Sequence, residues 1–202
     1  MKFKQVFLFL AFLFLVGCKS EKPDLSIISN GTASSKEAKE AHENIDKNSY
    51  SEILPYLKDN ALIESDGSKG VLLMFGSNNC KYCDKLKEEI VRSKMLQELL
   101  KNNFCSYYIN TSYKKVHRFF SKNLDTQELG RFYAIRSTPT LIFLNPQGEM
   151  IFEIVGFMGG KKLELALEYI SQNPNLSEAQ IAENLYNLFA QNLYSRRKLE
   201  SI

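Results

Sequence analysis

The chain has 202 residues, 44% of them hydrophobic, enough to bury a single core of ordinary size. Its 26 Lys and Arg against 23 Asp and Glu leave a formal net charge of +3, too small for the electrostatic footprint of a nucleic-acid binder. Four cysteines, two of them three positions apart, are too few for a small disulfide scaffold.

The chain opens with Lys2 and Lys4 before an uncharged apolar run, Val6 to Val16. That run is short for a membrane span and suits the core of a signal peptide. It ends in Leu15-Val16-Gly17-Cys18, which resembles the lipobox of bacterial lipoproteins. The resemblance implies a signal peptide over 1–17, cleavage before Cys18 and a diacylglycerol on its sulfur. An ordinary secretory signal that happens to hold a cysteine is the alternative. Without Lys2 and Lys4 the basic count falls from 26 to 24 against 23 acids, a net +1, so acyl chains rather than a basic patch would hold the protein at a membrane. Residues 18–49 are rich in Ser, Lys, Glu and Asn and read as a flexible tether, with nascent helix around 35–45.

A folded domain is expected over 50–172. Ile53, Leu54, Leu57 and Leu62 suggest a short amphipathic helix over Tyr50–Ala61. Val71 to Phe75 is apolar throughout and bounded by Lys69-Gly70 and Gly76-Ser77-Asn78-Asn79, which predicts a strand buried on both faces. A helix should run from Cys80 to about Leu100, and a strand from Phe104 to Ile109. Residues 111–126 are mostly polar, with His117 read as a solvated loop residue, and Glu128–Tyr133 reads as helix. Thr140–Leu144 and Met150–Val155 flank Asn145-Pro146-Gln147-Gly148-Glu149, a hairpin signal, and Lys161–Ser171 reads as helix. This order implies a mixed sheet with helices on both faces.

Residues 173–202 add one amphipathic helix. Ser177 and Gln180 form a capping box and Leu176 staples onto Ile181. Ile181, Leu185, Leu188, Phe189 and Leu193 make its apolar stripe, which packs on its own domain or docks a partner.

Chemistry concentrates at Cys80-Lys81-Tyr82-Cys83. Two cysteines three apart on a helix share a face and can bridge. At the helix start, free N–H groups and the positive dipole end favour a thiolate on Cys80. Cys83, one turn deeper, suits the resolution of a mixed disulfide. Zinc needs about four ligands, and His42 and His117 lack ligand spacing to the pair. A Cu(I) dithiolate, as in a copper chaperone or metal-delivery lipoprotein, is the alternative; a purely structural bridge is another. Cys105 is expected to be buried in its strand, with a regulatory thiol as the minor reading.

Val71-Leu-Leu-Met-Phe-Gly-Ser-Asn-Asn-Cys-Lys-Tyr-Cys83, with Ser137-Thr138-Pro139-Thr140 and the later Asn145-Pro-Gln-Gly148 and Val155-Gly156-Phe157, resembles the thioredoxin superfamily. It looks closest to periplasmic thioredoxin-like proteins of the SoxW and disulfide-isomerase kind. The resemblance covers about 50–172 and implies an α/β thioredoxin-like fold there, to which the amphipathic helix of 173–202 is an addition. It makes Cys80 and Cys83 the catalytic pair, Pro139 a cis-proline, and Thr138 the residue whose backbone aligns an extended substrate.

No cofactor beyond the Cys80–Cys83 disulfide is implied. The partners would be protein disulfides or dithiols and a membrane thiol-relay reductant, on the periplasmic or cell-surface side of a bacterial membrane. Tyr82 and Thr138 resemble isomerase-type motifs and favour reductase or isomerase over primary oxidase. Clients would be the haem-attachment cysteines of apocytochrome c or misoxidised secreted proteins. Lys81 could favour the Cys80 thiolate if its charge stays nearby. Two departures stand out. Thioredoxins carry a tryptophan before the first cysteine, where this chain has Asn79, and a buried acid six residues before it, where this chain has Met74.

Overall fold

Seven successive residues with almost no polar side chain, Gly70–Gly76, form a strand because they lie at the centre of a sheet covered on both faces. The computed structural model describes residues 51–59 and 61–200, with side chains to residue 192. Cys18, the signal segment, the tether and the side chain of Leu193 lie outside the described residues.

The strands are β1 (Leu62–Ile63), β2 (Gly70–Gly76), β3 (Phe104–Asn110), β4 (Val116–Phe119), β5 (Lys122–Asp125), β6 (Thr140–Leu144) and β7 (Met150–Val155). The helices are α1 (Lys81–Arg92), α2 (Lys94–Asn102), α3 (Thr126–Phe132), α4 (Gly160–Gln172) and α5 (Glu178–Glu200). The main sheet has the order β3-β2-β6-β7, with β2 parallel to β3 and antiparallel to β6. A smaller sheet has the order β1-β4-β5.

Alternation along the central strands divides the core. Leu72 and Met74 of β2, Phe104 and Tyr108 of β3, and Leu141 and Phe143 of β6 face Leu86 and Ile90 of α1, Leu96 of α2 and Leu163 and Leu167 of α4. Val71, Leu73 and Phe75 of β2, Ile142 of β6 and Cys105 of β3 face Leu129 and Tyr133 around α3, together with Ile63 and Phe119 of the small sheet. Cutting a fully buried leucine such as Leu73 to alanine costs about 2–5 kcal/mol. The expected α/β thioredoxin-like architecture is therefore present, and Cys105 is buried as the strand reading required.

Three expectations are corrected. The helix from Cys80 to Leu100 is two helices. Ser93 takes an extended conformation (φ −103°, ψ 108°), ends α1 and caps α2 by accepting from Leu96 N–H. Serine competes for backbone hydrogen bonds inside a helix and so favours its ends. The amphipathic helix over Tyr50–Ala61 is only a 3-10 turn, Ser51–Ile53, after which Leu57 is buried in the core and Leu62 enters β1.

The polar stretch 111–126 is not a loop but the β4–β5 hairpin, hidden because its strands are four residues each. His117 is 2% exposed there, its Nε2 3.0 Å from Thr126 Oγ1. Strand alternation turns it inward with Phe119 while Val116 and Arg118 face out.

The hairpin turn at 145–149 is closed by Asn145 N–H to Glu149 O at 2.9 Å, with Gly148 at φ 89°, a conformation glycine adopts without strain. The capping box of the last helix is present: Ser177 N–H donates to Gln180 Oε1 at 3.0 Å. Ile181 and Leu185 of α5 are buried in the domain's own core.

Candidate active site

Strand β2 ends in Gly76, and four residues later Cys80 stands as the N-cap of α1 (φ −97°, ψ 96°). The intervening turn is held by polar contacts to the segment after β3. Thr111 N–H and Oγ1 both donate to Gly76 O, at 2.8 and 3.0 Å. Asn78 N–H donates to Ser112 Oγ at 2.9 Å, its Nδ2 to Tyr113 Oη at 2.8 Å, and its Oδ1 accepts from Asn110 Nδ2 at 2.8 Å. Asn79 turns the chain with φ 56°, a left-handed conformation that asparagine tolerates better than most residues.

Cys80 and Cys83 are joined in a disulfide, their Cα atoms 5.2 Å apart. Their exposures differ: Cys83 is fully buried, while Cys80 is partly open. The Cys80 sulfur also accepts the backbone N–H of Cys83 at 3.1 Å, so an unpaired donor of the first helical turn points at it. Negative charge on that sulfur is favoured by this donor and by the aligned peptide dipoles of a twelve-residue helix.

Across from the pair, Thr138-Pro139 is a cis peptide bond at the entry to β6. Thr138 Oγ1 donates toward the Cys80 sulfur at 3.4 Å and is 2.8 Å from Ser77 Oγ. The chain thus brings Cys80, Cys83, Thr138 and Pro139 together from two separate segments. Lys81 is exposed, and Tyr82, 55% exposed, stacks on Phe157 with ring centroids 6.3 Å apart. A cleft of about 680 Å³ flanks Thr138, lined by Ser77, Thr111, Arg131 and Arg136 among others.

The family model for the thioredoxin-like domain matches residues 58–171, more than half of the chain. The chain belongs to the thioredoxin-like family. This thioredoxin-like protein is also similar to a thioredoxin-fold protein from Helicobacter pylori, at 31% identity and a TM-score of 0.66, covering 73% of this chain and 99% of that one. A thioredoxin from Thermus thermophilus matches at 18% identity and a TM-score of 0.44, over 56% of this chain and 88% of that one. A disulphide isomerase from Xylella fastidiosa matches at 20% identity and a TM-score of 0.35, over 60% and 79%. A search of curated protein sequences returns no match.

A thioredoxin-like domain bearing a bridged Cys-X-X-Cys pair at a helix start supports thiol–disulfide oxidoreductase activity, with the disulfide itself as the redox centre. Among the described residues, no cluster of three or more His, Cys, Asp or Glu side chains is placed to hold a metal ion.

Sequence reasoning quoted Ser77 and Asn78 only as part of a longer run and missed their contacts, as it missed Asn110 and Tyr113, because these roles arise only when two distant loops meet. It also missed Lys87, which a helical-face count from Cys83 would have found. Lys87 is 4% exposed, with Nζ 3.5 Å from Asp84 Oδ1 and 5.4 Å from the centre of the Tyr108 ring. Met74 is buried where thioredoxins hold an acid, and it pairs in register with Tyr108.

Proposed function

We propose that this protein reduces or isomerises disulfides of other proteins on the outer side of a bacterial membrane, held there by lipid on Cys18. The reading is carried by the unequal exposure of the pair: one sulfur faces solvent at a helix start, and its partner is sealed behind it.

In the reduced protein, the Cys80 thiolate attacks a substrate disulfide. A Cys80–substrate bond forms, and one substrate sulfur leaves as a thiolate that takes a proton from water. Cys83 then attacks Cys80, the mixed disulfide breaks, and the second substrate thiol departs. The Cys80–Cys83 disulfide remains, and two electrons from a membrane thiol relay, with two protons from water, return it to the dithiol.

Thr138-Pro139 serves the first step by offering backbone groups to an extended substrate chain, recognition by strand addition. The open cleft beside Thr138 leaves room for that chain. Apocytochrome c, whose haem-attachment cysteines must be reduced before ligation, is a client class that fits.

Trapping tests the reading. Cys83→Ala in cells should accumulate mixed disulfides on Cys80 with secreted proteins, and the purified protein should reduce insulin disulfides. A reduction potential near −120 mV, the range of strong oxidants, with no reductase activity, would reverse the direction assigned here. Globomycin-sensitive processing and acyl labelling that depends on Cys18 would test the anchor.

A further inference from the structure

To resolve a mixed disulfide, Cys83 must attack as a thiolate, yet it is fully buried, and burial opposes the charged form of a thiol. Something near it has to offset that cost. Strand β2 holds no acid, and Met74 is buried at the position where thioredoxins carry one.

The charge available is Lys87. It follows Cys83 by four residues on α1, so the two side chains leave the same helix face about one turn apart. Its side chain is 5% exposed, unusual for a lysine, most of which stay in water. Tyr108 of β3, 1% exposed, carries Lys87 Nζ over its ring at 5.4 Å. The Tyr108 hydroxyl is tucked beneath Gly76: a Cβ on that glycine would fall 2.5 Å from Tyr108 Oη. Gly76 therefore admits a phenol into the layer between β2 and α1, toward the end of β2 that leads to Cys80.

The other charged groups that face Lys87 are accounted for. Asp84, Glu88 and Arg92 of α1 and Glu52 of the 3-10 turn share with it a cleft of about 370 Å³. Asp84 pairs with Lys87 itself, Oδ1 3.5 Å from Nζ, but its side chain is 56% exposed, so water screens that pair; Glu88, 59% exposed, pairs with Arg92 at 3.4 Å. The ammonium is the buried charge of this group.

We propose that Lys87, assisted by the Tyr108 hydroxyl, stabilises the Cys83 thiolate during resolution of the mixed disulfide, the task for which Met74 offers no group. Lys87 is thus a positioning and electrostatic residue, acting through Cys83. In this step the Cys83 thiol gives its proton to water, its sulfur bonds to Cys80, and the substrate sulfur leaves with the electron pair and is protonated by solvent. The proposal rests on the reductase reading above.

The test uses the full chain without its signal segment and glutathione disulfide as probe, separating attack by Cys80 from release of the second glutathione by Cys83. Lys87→Met should move the pH midpoint of the second step upward by about one unit, close to tenfold in thiolate fraction near neutrality. Lys87→Arg, which keeps the charge, should hold the midpoint near that of the parent protein.

A folded Lys87→Met protein with the parental pH profile overturns the proposal, as does Lys87→Arg shifted as far as Lys87→Met. Should Lys87→Met fail to fold, Tyr108→Phe decides: a smaller upward shift supports the assembly, and an unmoved profile sinks it. Failure of the parent protein to attack glutathione disulfide or insulin at Cys80 would instead defeat the reductase reading.

Discussion

The Thr138 hydroxyl and carbonyl oxygens both stand 3.4 Å from the Cys80 sulfur. In the reduced protein these two groups serve opposite protonation states: the hydroxyl can donate to a thiolate, while the carbonyl can accept only from a thiol. Ser77 sits 2.8 Å behind the hydroxyl. If Ser77 donates to Thr138 Oγ1, the Thr138 proton is left for sulfur.

Thr138→Val, which keeps the shape and removes the hydroxyl, should therefore raise the Cys80 pKa. Hydrogen bonds to a charged partner contribute about 1.5–3 kcal/mol, so a rise of about one to two pH units is expected. Ser77→Ala should shift it in the same direction by less. Iodoacetamide labelling of reduced Cys80 across pH measures both, and a Thr138→Val profile lying on the parental one would remove the hydroxyl from the account.

The turn carrying Cys80 depends on Asn78, whose amide and backbone reach Asn110, Ser112 and Tyr113. Asn78→Ala removes the side-chain bonds to Asn110 and Tyr113, keeps the backbone bond to Ser112, and should cost about 1–3 kcal/mol in urea unfolding. It should also lower Cys80 reactivity in molecules that remain folded, because the N-cap geometry loosens. Reactivity that falls only in proportion to the unfolded fraction would mean the clamp stabilises the domain without tuning the sulfur.

Much of this was readable in the residues. The run Val71–Phe75, the hairpin around Asn145–Gly148 and the Ser177–Gln180 box carry strong local signals, and each forms the expected element. What escaped notice depends on pairing between segments far apart in sequence. Strand β4 pairs with the two-residue β1 more than fifty positions earlier, and no periodicity survives in elements so short. At the site, Cys80 and Cys83 announce themselves by spacing. Ser77 and Lys87 matter only because Thr138 and Tyr108 arrive from distant segments, a coincidence no linear motif records.

His117 illustrates the cost of such a pairing. Buried in β4, its Nε2 is 3.0 Å from Thr126 Oγ1, and that hydroxyl donates to Lys115 O at 3.1 Å. His117→Ala removes both a packed ring and a partner for a buried hydroxyl, and should destabilise by about 1–3 kcal/mol. Turnover per folded molecule should be unchanged, since the residue lies outside the redox site. Unfolding free energies within a few tenths of the parental value would return His117 to the solvated role first read for it.

Glu164 of α4 supplies a pH signature of the fold. Partial burial raises its carboxyl pKa, but the Ser93 hydroxyl donating at 2.7 Å and the Lys161 ammonium at 2.9 Å outweigh that and hold it below its ordinary value. A carboxyl depressed in the folded state binds protons more readily once unfolded, so its contribution is complete above the unfolded pKa, about 4.3, and disappears as pH falls through the lower folded value. Glu164→Gln should therefore lower the melting temperature by a constant amount from neutral pH down to about pH 5, with the gap closing below about pH 4. Ser93→Ala, which removes the α2 cap and the donor to Glu164 together, should cost about 1–2 kcal/mol at neutral pH. In that background the pH-dependent part of the Glu164→Gln difference should shrink. A gap that instead widens toward low pH would show that the folded state raises the Glu164 pKa, and that burial, not the Ser93–Lys161 pair, controls this carboxyl.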